Sequence, residues 1–185
     1  MRKLLSIGVV ILTAALSAYA ASTETGEWSQ TIDGVQGRLS ISEDPSFHGT
    51  RMFAIYLELR NVSPVGVPFD FYFDWTRSFQ CRLRDKDENV LPTAGLPTSI
   101  LVPPSFWLVL PYDGVVRFRV SVSGFMVPAN SGALIPMLCG EWLVKSGEGK
   151  DYWFDATFVV NPPKVDLTRR VWKGTLRLPR VKVPD

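Results

Sequence analysis

The stretch from Phe53 to Phe73, FAIYLELRNVSPVGVPFDFYF, constrains this chain most. Its first half alternates strictly. Ile55, Leu57 and Leu59 share one face, and Ala54, Tyr56, Glu58 and Arg60 share the other. Only the two-residue period of a strand separates them in this way. Asn61-Val62-Ser63-Pro64 then interrupts the run with turn chemistry. After the break, Phe69, Phe71 and Phe73 lie opposite Asp70, Tyr72 and Asp74, with Pro68 marking an edge or kinked strand. A chain built around this segment is a sheet protein, with the segment as its central hairpin or as a corner between two sheets.

The same period recurs along the chain. Val35, Leu39 and Ile41 alternate with Arg38 and Ser40, and Gly37 falls on the inward phase, which predicts a bulge or a close backbone contact. Asp33-Gly34 is a hairpin signal between this run and Glu27–Ile32, read as an edge strand. Phe79, Cys81 and Leu83 alternate with Gln80, Arg82 and Arg84. Phe106–Leu110 and Val116–Val122 flank the turn Pro111-Tyr112-Asp113-Gly114, with Arg117, Arg119 and Ser121 on the exposed phase. Ala133–Val144 reads as a buried strand carrying Cys139 and Trp142. Tyr152–Val160, Arg170–Leu178 and Val181–Val183 complete the set. About nine short strands at near-regular spacing, with no helical period, predict an all-β, antiparallel β-sandwich. No repeat or linker divides residues 21–185, so a single domain is expected there.

The N-terminus reads as a secretory signal over residues 1–20. Arg2-Lys3 precede an apolar run from Leu4 to Leu16, and Ala18-Tyr19-Ala20 fits small-residue cleavage before Ala21. No later apolar run approaches membrane-spanning length. The chain is therefore expected to be exported, periplasmic or extracellular. Its formal charge is +2, and loss of Arg2 and Lys3 leaves the mature chain neutral. That argues against nucleic acid or an anionic membrane as the main partner. Basic residues nevertheless gather after Lys164, where Arg169, Arg170, Lys173, Arg177, Arg180 and Lys182 face Asp166 and Asp185. They read as solvated strand faces or as a basic docking surface. In an oxidising compartment Cys81 and Cys139 are expected to pair if their strands are neighbours; the alternative is two buried thiols.

Several segments resemble bacterial immunoglobulin-like modules of exported proteins. They are Leu57-Glu58-Leu59-Arg60-Asn61-Val62-Ser63 with its apolar return, Cys81-Arg82-Leu83-Arg84-Asp85 with its polar turn, and Leu110-Pro111-Tyr112-Asp113-Gly114-Val115-Val116-Arg117-Phe118. The opening run Trp28 to Leu39 is similar to the start of exported bacterial domains. The resemblance implies an immunoglobulin-like sandwich and a binding or structural role, and it supplies no catalytic residues.

Catalytic motifs are thin. His48 is the single histidine and has no nucleophile or orienting acid beside it in sequence. Asp85-Lys86-Asp87-Glu88-Asn89 begins like a calcium loop, but Val90 stands where glycine is required and Leu96 where glutamate is required. No cofactor or metal is expected. Asp70 with Asp74, and Asp151 with Asp155, could supply paired carboxylates for sugar hydrolysis. The aromatic residues carry more information: six Trp, eleven Phe and five Tyr exceed what inward strand phases absorb. Tyr152-Trp153-Phe154 cannot bury all three rings on one face. Tyr72, Trp75, Trp107, Tyr152 and Trp153 are accordingly the candidate contact surface, for a protein or for a polysaccharide. The leading expectation is an exported, non-enzymatic, protein-binding module of the cell envelope. A carbohydrate-binding module and an aspartate-dependent hydrolase are the alternatives.

Overall fold

Eleven strands form the protein: β1 (Thr23–Thr25), β2 (Val35–Glu43), β3 (Phe53–Asn61), β4 (Phe69–Phe73), β5 (Phe79–Asp85), β6 (Phe106–Leu110), β7 (Val115–Arg119), β8 (Gly132–Met137), β9 (Gly140–Lys145), β10 (Tyr152–Val160) and β11 (Gly174–Lys182). The computed structural model describes residues 23–44, 52–74, 77–95, 105–123, 125, 132–145, 151–162 and 170–184. The signal at 1–20, His48 and Trp75 lie outside the described residues. Among those described the structure is all-β. A four-stranded sheet runs β1-β2-β3-β7, a three-stranded sheet runs β11-β10-β5, and β4-β6 and β8-β9 form two-stranded ladders. Every one of these pairings is antiparallel.

The opening segment is the corner, not a hairpin. β3 pairs with β2 and β7, whereas β4 leaves that sheet and pairs with β6. Asn61 makes the corner. Its side-chain amide donates to the Val67 carbonyl at 2.8 Å, and its Oδ1 accepts from the Ser63 amide at 3.0 Å. Asn61 is buried, so these bonds satisfy a side chain that water cannot reach.

The four-stranded and three-stranded sheets meet through β2 and β11. A Cβ on Gly37 would stand 2.7 Å from Leu178 Cδ2 and 3.2 Å from Leu176 Cδ1, so glycine permits that approach. Asp33 and Gly34 both adopt positive φ, 47° and 82°, the conformation a two-residue hairpin turn requires. Val35, Leu39, Ile41, Ile55, Leu57 and Leu59 are fully buried on the inner face. Phe73 centres the aromatic core, with ring centroids 5.4 Å from Phe106, 5.3 Å from Phe118 and 5.5 Å from Phe158. Removing such a ring costs about 3–5 kcal/mol, because the cavity adds to the lost transfer energy.

Four local readings change. Glu27–Ile32 is not a strand. Its Ser29 bonds Gly37 through both amide and hydroxyl, at 2.8 and 3.0 Å, and only Ile32 bridges Val35. Ser121, expected on the exposed phase, is buried. A bulge puts the amides of Val120 and Ser121 on the same Ile55 carbonyl, at 2.9 and 3.3 Å, and the Ser121 hydroxyl accepts from the Ile55 amide at 3.1 Å. One extra residue reverses the phase of the strand. Ala133–Val144 is two strands rather than one, with Leu138 and Cys139 in the turn between β8 and β9. Finally, the chain from Gly174 to Lys182 is continuous. Between Phe154 and Ala156 its register against β10 slips from Val181 to Leu178, so the extra residue falls at Pro179-Arg180. Proline has no amide proton for the ladder, which is why the bulge sits there.

Cys81 on β5 and Cys139 in the β8–β9 turn are disulfide-bonded, with Cα atoms 6.0 Å apart. The bond ties the outer strand of the three-stranded sheet to the β8–β9 ladder.

Candidate functional site

The outward residues of the three-stranded sheet form a grid. β10 is central, and its alternation buries Phe154, Ala156, Phe158 and Val160 while turning Trp153, Asp155 and Thr157 outward. Cross-strand register fixes their neighbours. Thr157 stands between Gln80 on β5 and Arg177 on β11, Asp155 stands opposite Arg82, and Trp153 stands between Arg84 and Lys182.

Most charges on this face are paired. Arg84 Nε donates to Asp155 Oδ2 at 2.6 Å, Lys182 contacts Asp151 at 2.7 Å, and Arg180 contacts Glu88. The Asp155 hydrogen bond, reinforced by its negative charge, raises the Arg84 pKa above the ordinary arginine value; partial removal from water opposes the rise, and Glu88 adds to it. Arg180 also lies 5.6 Å from the centre of the Trp153 ring. Among the described residues, neither Arg82 nor Arg177 has a carboxylate partner, and both are exposed. They flank a depression of about 490 Å³ lined by Gln80, Asp155, Ala156, Thr157 and Leu178. It lies where the β11 bulge bends that strand away from β10 opposite Asp155. A second depression of about 530 Å³, lined by Gln30, Ile32 and Thr175, shares Arg177 as a wall.

The outward face of the four-stranded sheet is also rich in arginine, with a different outcome. Arg38, Glu58 and Arg117 form one row across β2, β3 and β7. Glu58 is only 8% exposed. It accepts from Arg38 at 2.8 Å and from the Ser40 hydroxyl at 2.8 Å, and Arg117 lies 3.5 Å away. Arg119 pairs with Asp44 at 2.8 Å, and Arg60 donates to the Gln36 side chain at 2.7 Å. Arg38 and Arg60 both cover the Trp28 ring, at 4.3 and 4.2 Å, and Arg117 covers Tyr56 at 3.8 Å. Each guanidinium here is held by an acceptor, and three of them also cover a ring.

The described residues singled out in the sequence fall on two different sheets. Tyr72 and Trp107 are cross-strand partners on β4 and β6, half-buried, with ring centroids 5.2 Å apart. Tyr152 and Trp153 open β10, on another sheet. Trp153 and Phe158, the β10 residue that meets Phe73, are five positions apart on that strand, about 16 Å. The Tyr152 hydroxyl donates to the Lys145 carbonyl at 3.1 Å and accepts from the Lys145 amide at 3.2 Å. Trp142 and Trp172 are core. Their indole N–H groups donate to the carbonyls of Leu91 and Ile32.

The carboxylate pairs separate as well. Four residues along an extended chain span about 13 Å, beyond the 5–9.5 Å that glycoside hydrolysis uses. Asp151 and Asp155 are each held by a cation of their own. Asp85 Oδ1 accepts from the amides of Asp87 and Asn89, at 2.9 Å each, so it is the capping residue of a β-turn. Arg82, Arg177, Gln80 and Thr157 were not selected as site residues from sequence, although Arg177 belongs to the basic C-terminal run. Their outward strand phase was legible; which charges lay beside them was not.

Taken together, fold and site define an all-β, disulfide-bonded protein with one neutralised and one partly uncompensated arginine face. No known family model matches the chain, and no curated protein or solved structure shows significant similarity to it. Among the described residues, no helix is long and apolar enough to cross a membrane.

Proposed function

We propose that this protein is an exported, non-enzymatic binding module with an immunoglobulin-like sandwich, and that it holds a protein partner on the outer face of the β11-β10-β5 sheet. The observation that carries the reading is the pair of exposed arginines beside the depression, Arg82 and Arg177, which have no carboxylate partner among the described residues. Uncompensated guanidiniums on a structured surface are suited to fork-like hydrogen bonding with a partner's acceptors. The Cys81–Cys139 bond is in keeping with an oxidising, exported location.

Affinity capture from an envelope fraction tests this. The mature chain is expected to retain a partner that the Arg82→Glu/Arg177→Glu variant loses and that Lys173→Glu, an exposed charge elsewhere on the chain, keeps. Retention of the same partner by the double variant overturns the reading. A second reading, carbohydrate binding, draws on the half-buried Tyr72–Trp107 pair. It calls for retention on polysaccharide gels that disappears in Trp107→Ala.

A further inference from the structure

We infer that the depression between Arg82 and Arg177 receives an acidic, extended segment of the partner protein, with one carboxylate held by each guanidinium. The inference rests on the reading of this face as the contact surface and adds the chemistry of what it contacts.

Four observations carry it. First, charge. The three other cations on the face, Arg84, Arg180 and Lys182, each have a carboxylate, and Asp155, opposite Arg82, is the one Arg84 holds, so among the described residues the positive charge without an ion pair is concentrated at Arg82 and Arg177. Second, spacing. Arg82 lies opposite Asp155 on one side of β10, and Arg177 lies opposite Thr157 on the other. Two strand spacings across and two residues along place their Cα atoms about 12 Å apart. Side chains on one face of an extended peptide recur every ~7 Å, so carboxylates two or four residues apart come within reach of the two flexible guanidiniums.

Third, shape. The depression adjoins the one lined by Gln30, Ile32 and Thr175, and Arg177 stands between them. The track is elongated across the sheet, which suits a chain better than a compact anion. Fourth, the polar groups between the arginines. The Gln80 amide and the Thr157 hydroxyl each offer a donor and an acceptor, matching the peptide unit of a crossing chain. A sugar would call for an open ring to stack on, but Trp153 on this face carries Arg180 over its ring.

The experiment is a titration of the mature, disulfide-bonded chain with three probes: poly-L-glutamate, polygalacturonate and inorganic phosphate. Poly-L-glutamate is expected to bind most tightly. Arg82→Gln/Arg177→Gln should weaken it by about tenfold per arginine, and Lys173→Gln by less than about twofold. Arg82→Lys/Arg177→Lys keeps the charge but loses the planar fork, and should fall between the wild type and the double glutamine variant. An unchanged thermal midpoint in each variant separates loss of binding from loss of fold. Equal weakening by Lys173→Gln overturns the site, because it shows attraction to net charge alone. Preference for polygalacturonate or for phosphate overturns the peptide ligand while leaving the contact face standing. Wild-type affinity for poly-L-glutamate in the double variant, together with unchanged partner capture, removes both.

Discussion

Two arginine-bearing sheet faces look alike as sequence and differ in what their charges touch. On β2-β3-β7, Arg38 and Arg117 converge on the nearly buried carboxylate of Glu58, Arg119 takes Asp44, and Arg60 takes Gln36. On β11-β10-β5, Arg84, Arg180 and Lys182 are paired, and among the described residues Arg82 and Arg177 have no carboxylate partner. The first face uses its arginines to neutralise a central acid and to cover Trp28 and Tyr56. The second leaves two exposed guanidiniums beside a depression. Arginine number therefore says little about binding. What matters is whether a carboxylate is in contact with the guanidinium, since Asp155 stands opposite Arg82 but pairs with Arg84; an ion pair at contact distance removes the field that an approaching ligand would meet.

The largest expected effect concerns the support of the second face. Breaking the Cys81–Cys139 bond with Cys81→Ser/Cys139→Ser releases β5 from the β8–β9 turn. The bonded cysteines are 58 residues apart, and in the chain-entropy account the loss is about 4 kcal/mol. Denaturant midpoints of the oxidised chain and the double serine variant measure it. Next comes the neutralised face. Glu58→Gln leaves Arg38 and Arg117 facing each other without an anion and is expected to cost about 2 kcal/mol in urea unfolding. A cost near zero would mean that this network is as loose as ordinary surface pairs, and the contrast between the faces would weaken.

Smaller still is the stability effect of Arg82→Ala/Arg177→Ala, expected to stay within about 0.5 kcal/mol of wild type because neither side chain has a partner to lose. The same variant should lose the acidic ligand. A stability loss comparable to that of Glu58→Gln would show that these arginines are structural after all. Salt gives the finest discrimination. Raising it from about 0.1 M to about 1 M shortens the screening length from about 10 Å to about 3 Å. Binding to the second face should drop sharply, while the thermal midpoint moves less, because the Glu58 carboxylate at the centre of the first face is nearly buried. Parallel scans of affinity and melting against salt separate the two responses.

The strand phases were legible residue by residue. Leu39, Ile41, Ile55, Leu57, Phe71 and Phe73 all lie on the buried side that alternation assigned them, and Gly37 marks the close approach its inward phase predicted. Two of the misreadings share a cause. At Ser121 and at Pro179-Arg180 a bulge inserts one residue and shifts the two-residue phase, and whether the strand continues through it is set by the neighbouring strand. The contact surface fared differently. Tyr72 and Trp107 became partners through β4–β6 pairing, while Tyr152 and Trp153 went to another sheet. A strand's face is local information, but its neighbour is not.

That division describes the whole protein. Alternation, turn residues and the absence of helical period determined an all-β chain, its inward-facing side chains and the turn at Asn61, because each depends on backbone geometry over a few residues; that this turn is a corner between sheets and not a hairpin came from the strand pairing. Only the tertiary structure decided that Glu58 would stand between Arg38 and Arg117 while Arg82 and Arg177 would flank a depression without an acid of their own. Charge pairing depends on register between strands distant in sequence and on which neighbour each side chain then reaches, as Asp155 shows by pairing with Arg84 and not with Arg82 opposite it.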